Sequence, residues 1–435
     1  MKYSTYRFLT SLFSSWIGLW LRFRLARGKE DGTRFPERFG YSKHKRPDGV
    51  LVWIHAASVG ETNSVLPLIS DIQTRFLDVR ILLTTGTVTS ARLVANLQTK
   101  EQLKNVMHQY APIDTPEAVN RFLRHFRPDI GFWVESELWP NLVVSARERG
   151  CFMIIVNGRM SMRSFASWQK RALQMIMQMM NCFEVVFAQS EDDAQRFRAL
   201  GAKDVRMVGN IKYDALALAC DEAALLDLQQ KVENRPLWLA ASTHADEEIQ
   251  IAQAHAIISK SYPDLLTIIA PRHPQRGAEI AAKIAKYGKV SLRSHSGGMG
   301  DELTEKTNFY IANTLGELGL FYRLCEIVFM GGSLVAHGGQ NPLEPLRLRC
   351  AILAGAHTEN FAEMYAEMEK LEICERVRNS QNSAQELAAK VVHLLQNPDE
   401  LTTKQVVSKE WLKSKSGAIM RMLNILAPIF APVES

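Results

Sequence analysis

Short apolar runs recur along the chain at intervals that leave room for a helix between them. From Val50 the runs VLVWIH, VRILLTT, DIGFWVE, CFMIIVN, EVVFAQ and VRMVG alternate with helical stretches. Strands covered on both faces by crossover helices read as near-continuous apolar runs, so this alternation predicts a parallel, doubly wound sheet. After a charged, helical segment around 215–234 the pattern begins again with PLWLAAS, LLTIIAPRH, NFYIAN, EIVFMGG and CAILAG. The expected fold class is α/β, with two Rossmann-like doubly wound domains facing across a cleft. Arg235-Pro236 opens the second half, since a residue before proline is held extended.

The amino terminus has a different pattern. Phe8 to Leu21, FLTSLFSSWIGLWL, is fourteen residues without a charge, against the roughly 20 that a straight membrane-crossing helix needs. Trp16 and Trp20 followed by Arg22, Arg24, Arg27 and Lys29 suit an uncleaved helix lying at a membrane interface with its basic residues on anionic headgroups. A secretory signal is the rival, but no small-x-small cleavage site follows the apolar run. An amphipathic helix packed on its own domain is the other alternative.

Length supports two domains, because 435 residues exceed the roughly 250–300 at which single cores stop growing. The expected division is a membrane-anchoring helix over 1–30, a first Rossmann-like domain over 31–220, a second over 221–410, and a carboxyl-terminal helix over 411–435 that packs back on the first domain. Charge changes little: the net +6 is small for this length, and no basic stripe with interleaved aromatics speaks for nucleic acid. The six cysteines are scattered without a C-x-x-C pair or zinc-ligand spacing. No structural metal is expected.

Ligands of open α/β sheets sit beyond the carboxyl ends of the strands, so the loops there are the candidates for chemistry. Glu61, in HAASVGE, lies in the first such loop. It serves either as a reacting carboxylate or as the closing residue of a Ser58-x-x-Glu61 capping box. Glu135 and Glu137, in WVESELWPN, lie in the next; the bland alternative is ion pairing with Arg147 or Arg149, or capping a helix. In the second half, APRHPQR sets Arg272 after a strand, where its planar fork suits a phosphate, while His273 alone reads as structural. Gly331, Gly332 and Ser333 after another strand can present amides to an anion, ahead of Asn341 and Glu344. The run MIMQMMNCF is a buried helix face, and Asp192-Asp193 a helix start. No D-x-D occurs, which speaks against a metal-held diphosphate.

Taken together these segments resemble the 3-deoxy-D-manno-oct-2-ulosonic acid (Kdo) transferases. The landmarks run through almost the whole chain: SVGE at 58–61, ESELWPN at 135–141, NGRMS at 157–161, AQSEDDAQRFRALGA at 188–202, STHADEE at 242–248, PRHPQR at 271–276, NTLGELG at 313–319 and GGSLVAHGGQNPLEP at 331–345.

The resemblance implies a GT-B glycosyltransferase that adds Kdo to the lipid A precursor in lipopolysaccharide biosynthesis, with CMP-Kdo as donor substrate, no cofactor and no metal. It implies the acceptor in the first half and the sugar nucleotide in the second, an inverting displacement, and Glu61 as general base. Glu135, Glu137 and Arg159 fall on the acceptor side, with Thr84-Thr85 as further contacts. Ser242, Thr243, Arg272, Gly316, Glu317, Gly331, Gly332, Ser333, Asn341 and Glu344 fall on the donor side. Asn313 stands where the family has aspartate, and Leu315 where it has methionine. The implied partners are CMP-Kdo, the lipid A precursor and a membrane surface, without nucleic acid, at the cytoplasmic face of the inner membrane of a Gram-negative bacterium. A sugar-nucleotide epimerase of the same fold and a non-catalytic membrane-bound scaffold are the alternatives.

Overall fold

The structure, a computed structural model, describes residues 1–430 other than 100, 102, 104, 296, 297, 300, 302, 379 and 380. It divides into two compact units, Met1–Ala215 with Lys415–Ser435, and Leu216–Ser414.

The first unit opens with two helices, α1 (Tyr3–Leu12) and α2 (Ser14–Ala26), where one apolar helix was expected. The turn falls at Phe13, whose φ and ψ of −91° and 10° leave the helical range. No helix among the described residues is long and apolar enough to cross a membrane. Seven strands follow: β1 (Leu51–His55), β2 (Arg80–Thr85), β3 (Val106–Tyr110), β4 (Ile130–Val134), β5 (Phe152–Gly158), β6 (Phe183–Ala188) and β7 (Val205–Met207). They form one parallel sheet in the order β3-β2-β1-β4-β5-β6-β7.

Alternate side chains of each strand enter opposite cores. Leu51, Trp53, Leu82, Trp133 and Ile155 join one, while Val52, Ile54, Leu83, Phe132 and Ile154 join the other. Covering both faces explains the unbroken apolar runs, and each such side chain contributes on the order of 1.5–3 kcal/mol by leaving water. The helix Ala418–Phe430 completes the second of these cores through Met422, Leu423 and Leu426. Asp214 holds its start, accepting from the Gly417 amide at 2.5 Å and the Ile419 amide at 2.6 Å. Residues 431–435 of the expected carboxyl-terminal helix lie outside the described residues.

The second unit repeats the plan with β8 (Leu237–Thr243), β9 (Leu266–Pro271), β10 (Val290–Leu292), a two-stranded hairpin of β11 (Ser294–His295) and β12 (Gly298–Met299), then β13 (Phe309–Ile311), β14 (Ile327–Met330), β15 (Ala351–Ala354) and β16 (Cys374–Arg376). The parallel sheet runs β10-β13-β9-β8-β14-β15-β16. The chain crosses to the other side of its first strand between β1 and β4 in the first sheet and between β8 and β14 in the second, where β13 also inserts between β9 and β10. Those switch points open the crevices that open α/β sheets use for ligands.

Candidate active site

At the first switch point the loops after β1 and β4 bring carboxylates together. The helix α3 (Val59–Arg75) begins just beyond β1 with Ser58 as its cap, whose hydroxyl accepts from the Glu61 amide at 3.3 Å. The Glu61 carboxylate turns back and accepts from the Ala57 amide at 2.6 Å. The capping alternative is therefore real in part, but it does not account for the surroundings. Burial first, then the charges of Glu135 and Glu137, push the Glu61 pKa up to about 7 against the pull of the Ala57 amide and the Ser58 hydroxyl.

Glu135 follows β4 with φ of 57°, the left-handed region that few residues other than glycine adopt. Such backbone needs support, and here the Glu135 amide donates to the Val156 carbonyl at 3.0 Å. Lys212 donates to its carboxylate at 2.7 Å. Burial raises the Glu137 pKa, opposed by the charge of Arg38, and the Glu137 carbonyl takes the Trp133 indole N–H at 2.7 Å. The ion pairs weighed for these two glutamates do not form: Arg147 pairs with Glu184 at 2.5 Å, and Arg149 bonds Asn120 at 2.8 Å. Of the three acids, Glu135 has a cation in contact and Glu137 feels a buried guanidinium. Glu61 has no cation within ion-pair distance among the described residues.

The acidic loop is anchored to the amino-terminal helix. Asp114, after β3, accepts from the Asn141 and Leu142 amides at 3.0 and 2.8 Å and so caps the helix Pro140–Glu148 from outside, while Tyr6 of α1 donates to the same carboxylate at 3.0 Å. The Asn141 side chain reaches the Asp114 carbonyl at 2.6 Å and the Thr10 hydroxyl at 2.9 Å. One face of α1 thus packs on its own domain, as one of the sequence alternatives held. Its other face leaves Phe8 and Leu12 exposed.

Arg159 follows β5, exposed and without an ion pair among the described residues. Thr84 and Thr85 do not fit the contact role expected of them. Both are fully buried, Thr84 bonded to Trp53 and His55 at 2.8 and 3.0 Å and Thr85 to His108 at 3.0 Å.

At the second switch point Ser242, the penultimate residue of β8, has a φ of 56°. Its carbonyl lies so close to Gly331 that a Cβ there would stand 2.4 Å away, which is why this loop needs glycine. Thr243 is fully buried and donates to Glu248 at 3.1 Å, and Glu248 also takes Arg276 at 2.8 Å. The amides of Gly332, Ser333 and Leu334 all donate to Glu247, at 2.7, 3.0 and 2.9 Å, and His244 adds its amide at 2.8 Å. The expectation that Gly331, Gly332 and Ser333 offer amides to a ligand phosphate is overturned on this ground. The Gly331 amide goes to the Ala241 carbonyl at 2.8 Å, and a buried carboxylate of the protein fills the remaining nest.

Arg272 is exposed and has no ion pair among the described residues. Burial raises the Glu344 pKa, and the charges of Arg347 and Arg272 oppose it. Asn341 accepts from the Leu343 amide at 3.1 Å. Glu317, one residue past the left-handed Gly316, is gripped by Arg293 through bonds of 2.7 and 3.2 Å and by the Thr314 hydroxyl. A cavity of about 960 Å³ opens beside them, lined in part by Tyr310, Asn313 and Leu315.

Residues 33–215 match the family model described as 3-deoxy-D-manno-octulosonic-acid transferase (kdotransferase). A probable mitochondrial 3-deoxy-D-manno-octulosonic acid transferase of Arabidopsis thaliana is 35% identical over 437 residues, 97% of this chain and 95% of that protein. The chain belongs to the 3-deoxy-D-manno-octulosonic acid transferase family. The transferase of this name from Haemophilus influenzae is 32% identical, over 91% of each chain. A UDP-N-acetylglucosamine 2-epimerase is similar in fold, with a TM-score of 0.57 and 12% identity over 90% of this chain and 99% of that one. Fold alone therefore does not separate transfer from epimerisation; family membership does, and the Kdo transferase is a glycosyltransferase with the doubly wound sheet pair of the GT-B class. The epimerase and scaffold alternatives fall with it.

Four residues that the fold brings to these two strand-end clusters carried little signal in the sequence. Lys212 is an isolated lysine far from the acids it joins, and Glu247 reads as one more acid at a helix start. His244 and His337 are single histidines in separate loops, and only the adjacency of β8 and β14 brings them together.

Proposed function

We propose that the transferase moves Kdo from CMP-Kdo to the lipid A precursor, inverting at the anomeric carbon, with Glu61 as general base and without a metal or other cofactor. The Glu61 carboxyl carries this reading: it stands beyond β1 at the switch point, beside two further carboxylates, with its pKa pushed up to about 7. A base of that strength is partly ionised at neutral pH yet strong enough to take a proton as the bond forms. The acceptor hydroxyl oxygen attacks the anomeric carbon, its proton passes to Glu61, and the bond from that carbon to the phosphate oxygen breaks with its electron pair leaving on CMP.

Charge building on the departing phosphate needs fixed cations, and Arg272, exposed and without an ion pair among the described residues, is suited to supply one. Ser242, Gly316, Glu317, Asn341 and Glu344 line the nucleotide side, with Glu344 an acceptor for ribose hydroxyls. Gly331, Gly332, Thr243 and Ser333 act there through the backbone path they set. Glu135, Glu137 and Arg159 serve the acceptor. The exposed faces of α1 and α2 hold the protein on the membrane that contains the acceptor, at the cytoplasmic face of the inner membrane of a Gram-negative bacterium.

The test incubates purified protein with CMP-Kdo and tetraacylated lipid A precursor in the presence of chelator, and weighs the lipid products. Wild type should yield lipid heavier by one or more Kdo units. Glu61→Gln should lose about 10²-fold or more of the rate while binding donor as before. Near-normal turnover in that variant would sink the assignment.

A further inference from the structure

Beyond β8, β9 and β14 three histidines converge. The His244 ring, after β8, stacks on His337 of the loop after β14, with centroids 4.3 Å apart and planes at 23°. His273, after β9, stands edge-on to His244 at 6.1 Å and 86°. The Gln340 side-chain nitrogen lies 3.2 Å from His244 Nε2. An amide nitrogen only donates, so that ring nitrogen accepts and the neutral ring carries its proton on Nδ1. Gly332 makes room for this arrangement: a Cβ there would stand 3.2 Å from the His244 ring and 3.2 Å from the Gln340 nitrogen. With its amides taken by Glu247, the glycine loop works by admitting side chains.

The charges facing His244 are almost all positive. Arg272, Arg276, His273 and His337 act on it, and together with burial, the largest cause, they pull its pKa down to about 4. Arg276 is neutralised by Glu248 at 2.8 Å, and the Glu247 carboxylate is buried against four backbone amides. Among the described residues the exposed His273 and His337 have no ion pair, and the carboxylate whose charge couples to Arg272 is the buried Glu344. This positive cluster disfavours a proton on the His244 ring. An anion seated on it reverses that field and draws a proton in.

We propose that His244, His273 and His337, with Gln340 and Arg272, form a subsite for the carboxylate of an acidic sugar carried on the nucleotide, and that this subsite selects acidic over neutral sugar donors. The inference rests on the donor reading above. The donor's other anion is its phosphate, so the test must tell the two apart.

Titration calorimetry of the full chain with CMP and with CMP-Kdo, at about pH 6.5 and about pH 8.5, does so. Wild type should bind CMP-Kdo about tenfold or more tighter than CMP at the lower pH, with proton uptake visible as a dependence of the heat on the buffer. The advantage should shrink at the higher pH. His337→Gln and His273→Gln, both at exposed positions, should each erase most of the advantage and leave CMP affinity unchanged. Equal loss for both ligands would assign the histidines to the phosphate and overturn the subsite, as would an advantage that survives both variants or ignores pH. Failure of wild type to bind CMP at all would bring down the donor reading and the subsite with it, whereas intact CMP binding with an unaltered sugar advantage removes the subsite alone.

Discussion

The Lys212 ammonium lies 2.7 Å from the Glu135 carboxylate, at the strand end next to the one that carries Glu61. Glu135 is the first of the charges that raise the Glu61 pKa, and Lys212 moderates it. Lys212→Met leaves that negative charge uncompensated and should move the acid limb of the kcat/KM profile upward by about one pH unit. A general base works ionised, so on the function proposed for Glu61 the variant should be slow near pH 7 and recover at higher pH. An unmoved limb would mean that Glu135 does not act on the base.

The raised pKa also has a stability consequence. Glu61 has a folded pKa of about 7 against an ordinary 4.5, so its protonated form is the one the fold favours. Its contribution is fully present below about pH 4.5 and lost as pH rises through 7. Glu61→Gln removes the ionisation and should stabilise the protein near pH 8 by on the order of 1–3 kcal/mol, with little effect near pH 4. Urea midpoints of the two proteins at both pH values measure the difference.

Asn313 ties two neighbouring segments of the second unit together through both ends of its side-chain amide. Its Oδ1 accepts from the Ser294 amide at 2.9 Å and its Nδ2 donates to the Ser294 carbonyl at 2.8 Å, a two-way clamp on the start of the β11–β12 hairpin. Aspartate can make only the first bond and sets a carboxylate against the carbonyl. Asn313→Asp should therefore cost about 1–3 kcal/mol, read as a lower melting temperature. An unchanged melting temperature would show the clamp to be dispensable.

What the sequence left hidden follows a physical rule. The strands at the sheet centres were legible from their apolar runs, because both of their faces are covered. In the two seven-stranded sheets three strands were not foreseen: β3 with His108 and Gln109 in a run of five, and the three-residue β10 and β16. All three are sheet edges, where pairing is one-sided and strands are short or polar. Around the site, Glu61 and Glu135 could be placed because a strand end is visible in sequence. Lys212, Glu247 and the His244–His337 stack could not, because strand order brings them together and no spacing in the chain records it. The Gly331–Ser333 loop misled for the complementary reason: glycine after a strand marks close approach, but not what approaches.

The last prediction concerns the amino-terminal helices. Trp16 is 72% exposed, and Leu19, Trp20 and Phe23 are exposed on the same helix, while Leu21 is its buried anchor. Arg24 is tied to Glu30 at 2.7 Å, which leaves Arg22, Arg27 and Lys29 for anionic headgroups. Trp16→Glu combined with Trp20→Glu should lower binding to vesicles of anionic phospholipid by about tenfold or more. Added salt should weaken wild-type binding only in part, since the apolar share is unscreened. The melting temperature should hold, because the replaced side chains project from the protein. Transfer to acceptor embedded in vesicles should fall with vesicle binding while CMP-Kdo affinity stays, and a variant that binds vesicles as wild type does would leave the exposed tryptophans without this role.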